Sequence, residues 1–526
     1  MRESQLLKGM TNDCDLFTTN FPECKVLYLD YSCLVDYVLQ KTDLSGVAES
    51  EIEETIVRNI LVYTRRLSNE IIKPTELLFI AMDGPVPNTK LCKQRERRFK
   101  KQFDEHIEHG LGLPKPPFNS NAITPGTVFM QKLHERILGM IELKSFHVTV
   151  RFSSSNEAGE GEFKIFSHIR ETNCPMIDRQ IVVYGTDPIA SCMVNGLDIK
   201  LCREDETGQI VFLDTFSCLT QLMEKHSLLR KFEQNPRKIL LELVLLFMFG
   251  GNDFVFSFHF TKVCDDGIQV LLREFSRGNY TLVDTNDRIN WTEVQTLLSN
   301  VATREPTPIS DQIKKLNKHD LSSDIKFYQY GALSDQRHVM HDAFKRQEIV
   351  SLQFWKPEYY QNVLRIDYDK VNVDAVCDDY LNSIKWCWDY YVYGIVPSWT
   401  YCYKYIAAPP MSDLVTRMSA PSSSTYTLDE FRGQPPSTFA QLLTVLPRTS
   451  GSLLPSCFLN LITNPSSIIS RQYPCDETKL EFELSSNQMI CATPILPPYD
   501  LALNQRLVYG LGSSFASGEH ERNNLK

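Results

Sequence analysis

Apolar and polar positions alternate between two periods along this chain. Short apolar runs at 25–30, 77–83 and 180–187 read as buried strands, and each ends in an aspartate, Asp30, Asp83 and Asp187. Between the first two, Ile52, Ile56, Ile60, Tyr63 and Leu67 recur at helical spacing. Residues 146–152 and 210–214 read as further strands. The pattern predicts a helix over 128–143 with Thr124 as its N-cap and Pro125 in the first helical position. Another helix starts beside Glu160 and Glu162, and a nearly all-apolar one over 239–249 reads as buried, ending in Gly250-Gly251-Asn252-Asp253-Phe254. Alternating strands and helices make this an α/β protein with a largely parallel sheet, in which sites sit beyond the carboxyl ends of the strands.

Charge changes that picture at one place. After Asp83, Gly84-Pro85-Val86-Pro87 reads as a sharp turn and is followed by a basic stretch from Asn88 to Lys101. On a helix, Lys90, Gln94, Arg97 and Arg98 share an arc of roughly 100° and form a claw for an anion. The plain alternative is a solvated basic face, and Lys93, Arg95, Lys100 and Lys101 read that way or as general phosphate contacts. One aspartate after a strand is commonly a turn or cap residue. Several carboxylates converging on one cleft repel each other and take up protons unless a divalent cation compensates them, and all-oxygen ligation suits Mg²⁺ or Mn²⁺. A carboxylate-bound metal pair beside a cationic helix is what phosphodiester hydrolysis needs. The residues alone therefore point to a metal-dependent nuclease.

Bulk composition narrows this further. With 526 residues, more than one core is expected. A net charge of −10 excludes a generally basic nucleic-acid-binding surface and asks for cations concentrated in one groove. The 15 cysteines include no C-x-x-C pair, so reduced, structural thiols are expected. No apolar run is long enough to span a bilayer, and residues 1–10 lack a signal-peptide core. The expected location is the cytoplasm, with the nucleus as alternative and no membrane partner.

The motifs resemble a known family. Asp83-Gly84-Pro85-Val86-Pro87 with Lys90, Gln94, Arg97, Arg98 and Phe99, then Thr124-Pro125-Gly126-Thr127, Gly159-Glu160-Gly161-Glu162-Phe163-Lys164 and Gly251-Asn252-Asp253-Phe254, occur in order and type as in the Xrn 5′-to-3′ exoribonucleases. Trp355-Lys356-Pro357-Glu358-Tyr359-Tyr360, Ser398-Trp399 and 439–447 extend the resemblance into a second core region. It implies a parallel sheet of the PIN/5′-nuclease kind flanked by helices over 1–300. It also implies a mixed α/β segment over 301–511 that wraps the active site and closes its channel. A Ser/Pro-rich loop at 415–437 and a flexible polar tail at 512–526 are expected beside these.

By the same resemblance, Asp30, Asp83, Glu160, Glu162, Asp187 and Asp253 are the catalytic metal ligands for two Mg²⁺ or Mn²⁺ ions. Lys90, Gln94, Arg97 and Arg98 bind the 5′-phosphate, and Trp399 stacks on a base. The implied substrate is 5′-monophosphorylated single-stranded RNA, degraded processively to 5′-mononucleotides in RNA decay; nothing names a protein partner.

The chain departs from the family pattern at several points. Ile189 stands where a second aspartate follows Asp187, Asp36 stands where a base-stacking histidine is usual, and Met1-Arg2-Glu3-Ser4 replaces the usual opening. The link from Phe99 to Asn121 is shorter than is usual, so the extended helix that follows the basic face is expected to be cut back, and nothing in this sequence resembles the long C-terminal extension of the family's cytoplasmic members. Such a compact form fits a virus-encoded or reduced member. The alternatives are a catalytically impaired RNA-binding or scaffold protein of the same fold and a structure-specific 5′ DNA nuclease.

Overall fold

The computed structural model describes residues 17–305, 355–420 and 433–524, apart from 111, 113, 173–179, 186–187, 197, 259, 262–266, 475–478 and 483–491. Seven strands form one sheet in the order β1-β7-β6-β5-β2-β3-β4. They are β1 (Phe17–Thr18), β2 (Val26–Asp30), β3 (Leu77–Ala81), β4 (Thr149–Ser153), β5 (Ile181–Tyr184), β6 (Lys200–Glu204) and β7 (Ile210–Asp214). β4, β3, β2, β5 and β6 run parallel, while β7 and β1 complete one edge antiparallel. The chain lays β2, β3 and β4 outward on one side, then returns to place β5 on the other flank of β2. The order thus reverses between β2 and β5, and a crevice opens beyond their carboxyl ends.

Side chains alternate across the strands. Tyr28, Phe79 and Val183 face one core, and Leu27, Leu29, Leu78 and Ile80 face another. The first core also takes the Pro236–Phe249 helix and Tyr380, Trp386 and Tyr390, so the segment after 300 builds no separate interior there. Another core joins Val86, Leu91 and Phe99 to Phe439, Leu443 and Phe458.

Several sequence expectations are corrected. The fourth strand is Thr149–Ser153. The Val128–Glu142 helix is capped by Thr127, whose side chain accepts from the Met130 amide. Gly126 precedes it with φ +90°, a left-handed turn that ends the Thr124-Pro125 stretch before helix can begin. The basic helix runs from Asn88 to Gly110.

Residues 512–524 are no free tail. Phe515 packs edge-on against Phe439 and Phe458 at 5.2 and 5.7 Å. Arg522 donates to the Gly126 carbonyl at 2.7 Å. One aromatic anchor in a polar segment is enough to dock it. In the Ser/Pro-rich loop, 415–418 complete the Met411–Met418 helix and Ser437 caps Thr438–Val445, while 421–432 lie outside the described residues. No helix among the described residues is long and apolar enough to cross a membrane.

Candidate active site

A cavity of about 480 Å³ opens at the crevice, with carboxylates on one side and the basic helix on the other. Asp30 is the last residue of β2. Its Oδ2 accepts from the Cys33 thiol at 3.2 Å, and its buried Oδ1 has no hydrogen-bond partner. Asp83 follows β3, and its Oδ1 accepts from the Gly161 amide at 2.7 Å. A Cβ on Gly161 would come within 3.0 Å of both the Ala81 carbonyl and Asp30 Oδ1, so glycine lets this turn pass close to the strand ends. Gly84 is tighter still, with the Glu157 carbonyl 1.7 Å from where a Cβ would stand.

Glu160 and Glu162 flank Gly161. Glu160 Oε1 lies 2.6 Å from the Lys90 ammonium, and Oε2 accepts from the Tyr390 hydroxyl at 3.0 Å. Glu162 Oε1 accepts from Ser191 at 2.5 Å. Asp253 Oδ2 is 2.6 Å from the same Lys90 ammonium.

Electrostatics follow from this crowding. Burial first, then Asp83, pushes the Asp30 carboxyl up to about 8. Burial pushes Glu162 up to about 7, opposed by the Ser191 bond and reinforced by Glu160. Lys90 holds Asp253 well below the carboxylate range. Burial works against the Lys90 charge, but Asp253 and Glu160 outweigh it and raise its pKa.

The opposite wall is one face of the Asn88–Gly110 helix, from which Lys90, Gln94, Arg97 and Arg98 all reach the cavity. Arg98 donates to Asn121 Oδ1 at 3.2 Å, and burial, helped by Arg97, brings its guanidinium down to about 10. Gln94 Oε1 is buried without a partner. Asp36 lines the same cavity; burial and Asp83 raise its carboxyl against the pull of Arg98, Arg97 and Lys101.

Not every predicted residue arrives at the cavity. Asp187 lies outside the described residues. Ile189 opens the Ile189–Asn195 helix, is 1% exposed and packs in the core, so it turns away from the cavity. Trp399 does not line the cavity. Its carbonyl accepts from the Asn88 amide at 3.0 Å, which ties the loop to the start of the basic helix. The aromatic lining is instead Phe166, Phe254, Tyr390 and Tyr391.

Arg95, read as solvated, is 3% exposed. It donates to the Pro497 and Gln472 carbonyls and lies over Phe99 and Tyr499 at 5.0 and 5.2 Å. Its spacing from Leu91 and Phe99, four residues either way, was the available signal.

Sequence reasoning missed three supporting residues. Tyr390 and Ser191 hold Glu160 and Glu162, and Lys164 donates to the Met82 and Ser154 carbonyls at 2.7 and 2.8 Å. Only Lys164 left a trace, as the last residue of the Gly159–Lys164 motif, where it was given no role.

As they stand, no three acidic side chains among the described residues are grouped closely enough to share one ion. The donor set nevertheless fits a divalent cation. It is all oxygen, one buried carboxylate oxygen has no partner, and two carboxyls are pushed toward protonation by burial and by neighbouring carboxylates. A hard cation is the charge such a group lacks.

A parallel sheet with acidic strand ends facing a cationic helix defines an α/β protein of the PIN-like nuclease class. Residues 4–200 match the family model for the XRN 5′-3′ exonuclease N-terminus, and residues 334–526 match that for the Xrn1 helical domain. The chain belongs to the Xrn family of 5′-3′ exonucleases, whose nucleases are in general metal-dependent. It is 27% identical to human 5′-3′ exoribonuclease 1 over 565 residues, covering 91% of this chain and 32% of the relative. Against the Schizosaccharomyces pombe 5′-3′ exoribonuclease 1 identity is 25%, covering 86% and 44%. Against the Arabidopsis thaliana 5′-3′ exoribonuclease 2 it is 23%, covering 79% and 55%. The chain thus spans about a third to a half of the length of these relatives.

Proposed function

We propose that this chain is a metal-dependent, processive 5′-to-3′ exoribonuclease that converts 5′-monophosphorylated single-stranded RNA to 5′-mononucleotides. The observation carrying this reading is that one cavity joins Asp30, Asp83, Glu160, Glu162 and Asp253 to Lys90, Gln94, Arg97 and Arg98. Mg²⁺ or Mn²⁺ would be held by those carboxylates, together with Asp187. When bound, such ions make water a competent nucleophile at neutral pH and stabilise charge on the leaving oxygen.

The rest of the work falls to the chain. The Arg97 and Arg98 forks and the Gln94 amide grip the terminal phosphate. Holding that end sets the first phosphodiester against the carboxylate wall, which is a positioning effect. The aromatic lining at Phe254, Tyr390 and Tyr391 offers faces that tolerate any base, as stepwise degradation requires.

A second reading, an RNA-binding protein of the same fold with impaired catalysis, is favoured by Ile189, whose side chain is in the core and brings no oxygen to the cavity. One experiment separates these readings from a structure-specific 5′ DNA nuclease. Matched RNAs with a 5′-monophosphate, 5′-triphosphate or 5′-hydroxyl, and a DNA flap, are incubated with Mg²⁺, Mn²⁺ or EDTA. Mononucleotide release from the monophosphate RNA with metal alone is the expected result. RNA retention without turnover selects the impaired protein, and flap cleavage the DNA nuclease.

A further inference from the structure

The Lys90 ammonium lies on the wrong side of the cavity for a residue that grips a phosphate. It sits 2.6 Å from Glu160 Oε1 and 2.6 Å from Asp253 Oδ2, and its side chain is 12% exposed. Both acidic partners sit on anchored parts of the chain. The other oxygen of Glu160 is held by Tyr390, whose ring is stacked between Trp386 and Phe163 at 5.2 and 4.9 Å. Asp253 sits in the turn where Asn252 Oδ1 accepts from the Phe254 and Val255 amides. Lys90 itself is a point charge on a flexible stem, carried by the same helix face as Gln94, Arg97 and Arg98.

We infer that Lys90 is an exchangeable counter-ion, paired with Glu160 and Asp253 until a divalent cation takes those carboxylates, and thereby makes recognition of the 5′-phosphate conditional on metal. This rests on the exonuclease reading of the cavity. A divalent ion at Glu160 and Asp253 neutralises the partners of Lys90 and repels its ammonium. A phosphate held by Arg97 and Arg98, on the same helix face, is an anion that a displaced cation can pair with. Coupling of this kind is reciprocal, so the phosphorylated end must tighten metal binding by the factor that metal tightens the end.

The test is equilibrium binding with no turnover. A short RNA whose first linkage is uncleavable is prepared with a 5′-monophosphate or a 5′-hydroxyl, and its affinity is measured by anisotropy in Mg²⁺ and in EDTA. The 5′-hydroxyl form carries the same internal phosphates and removes their direct contribution. Wild type should prefer the 5′-phosphate about tenfold more strongly in Mg²⁺ than in EDTA, within the usual range for coupled sites. Titration calorimetry of Mg²⁺ should show the same factor between the two RNAs.

Lys90→Met should give one preference in both buffers. Arg97→Ala, which leaves the ion pairs intact, should lower the preference in both while keeping their ratio. That second variant keeps the test decisive if Lys90→Met fails to fold. An equal preference in Mg²⁺ and EDTA for wild type would overturn the exchange and leave the exonuclease reading standing. No 5′-phosphate preference in either buffer would overturn both.

Discussion

On the carboxylate side of the cavity five acids are delivered by four separate pieces of chain. Asp30 comes from the end of β2, Asp83 from the turn after β3, Glu160 and Glu162 from the head of a helix, and Asp253 from a turn after a buried helix. On the basic side, Lys90, Gln94, Arg97 and Arg98 come from one face of one helix. The acidic wall therefore exists only when the whole sheet is assembled, while the basic wall exists as soon as a single helix forms. Damage should differ accordingly. An acid replaced on the first wall costs chemistry, and a cation replaced on the second costs selection of the RNA end.

The sharpest break of this contrast is Asp83→Asn. The amide oxygen keeps an acceptor for the Gly161 amide, so the fold and its melting temperature should hold. Turnover on monophosphate RNA should fall by about a thousandfold or more, roughly 4 kcal/mol. A loss under tenfold would remove Asp83 from the chemistry.

Arg97→Ala should lower kcat/KM for the 5′-monophosphate RNA by about a hundredfold, roughly 2.7 kcal/mol, and leave the slow 5′-hydroxyl RNA almost untouched. Equal loss on both ends would show that the basic wall does not read the end.

Tyr390→Phe keeps the aromatic stack and removes only the hydroxyl held by Glu160. The Mg²⁺ concentration for half-maximal rate should rise about fivefold, close to the 1 kcal/mol worth of one hydrogen bond, with KM for RNA unchanged. An unchanged metal requirement would mean that Glu160 needs no help from the second segment.

The smallest effect at the cavity belongs to Arg95→Met, on the far side of the basic helix. It should leave kcat/KM within about twofold and cost about 2 kcal/mol of stability through two lost charge-assisted bonds, read by denaturant unfolding. A selective loss of 5′-phosphate preference would instead show that both faces of the helix serve RNA.

The same contrast explains what could be read without a structure. Lys90, Gln94, Arg97 and Arg98 were legible because helical spacing alone puts them on one arc, and the strand-ending aspartates because parallel sheets place sites at that end. The supports were not legible. Tyr390 meets Glu160 across 230 positions of sequence, and no local period encodes such a pair. The docking of Phe515 was hidden for the same reason, and Arg95 because charge was weighed above its place between Leu91 and Phe99. Trp399 was named through the resemblance alone, and its side chain is not among those lining the cavity.

Tyr390 and Tyr391 line the cavity and also belong to the core that contains Val183 of β5. Parting the two sides of the cavity would therefore pull apart a shared interior that includes Tyr380, Trp386 and Trp388, each worth on the order of 2 kcal/mol or more when buried. Among the described residues, the second segment is packed into the interior of the first rather than hinged upon it. Under the proposed exonuclease reading, selection of a free end would then rest on this shared interior as well as on the contact to the terminal phosphate.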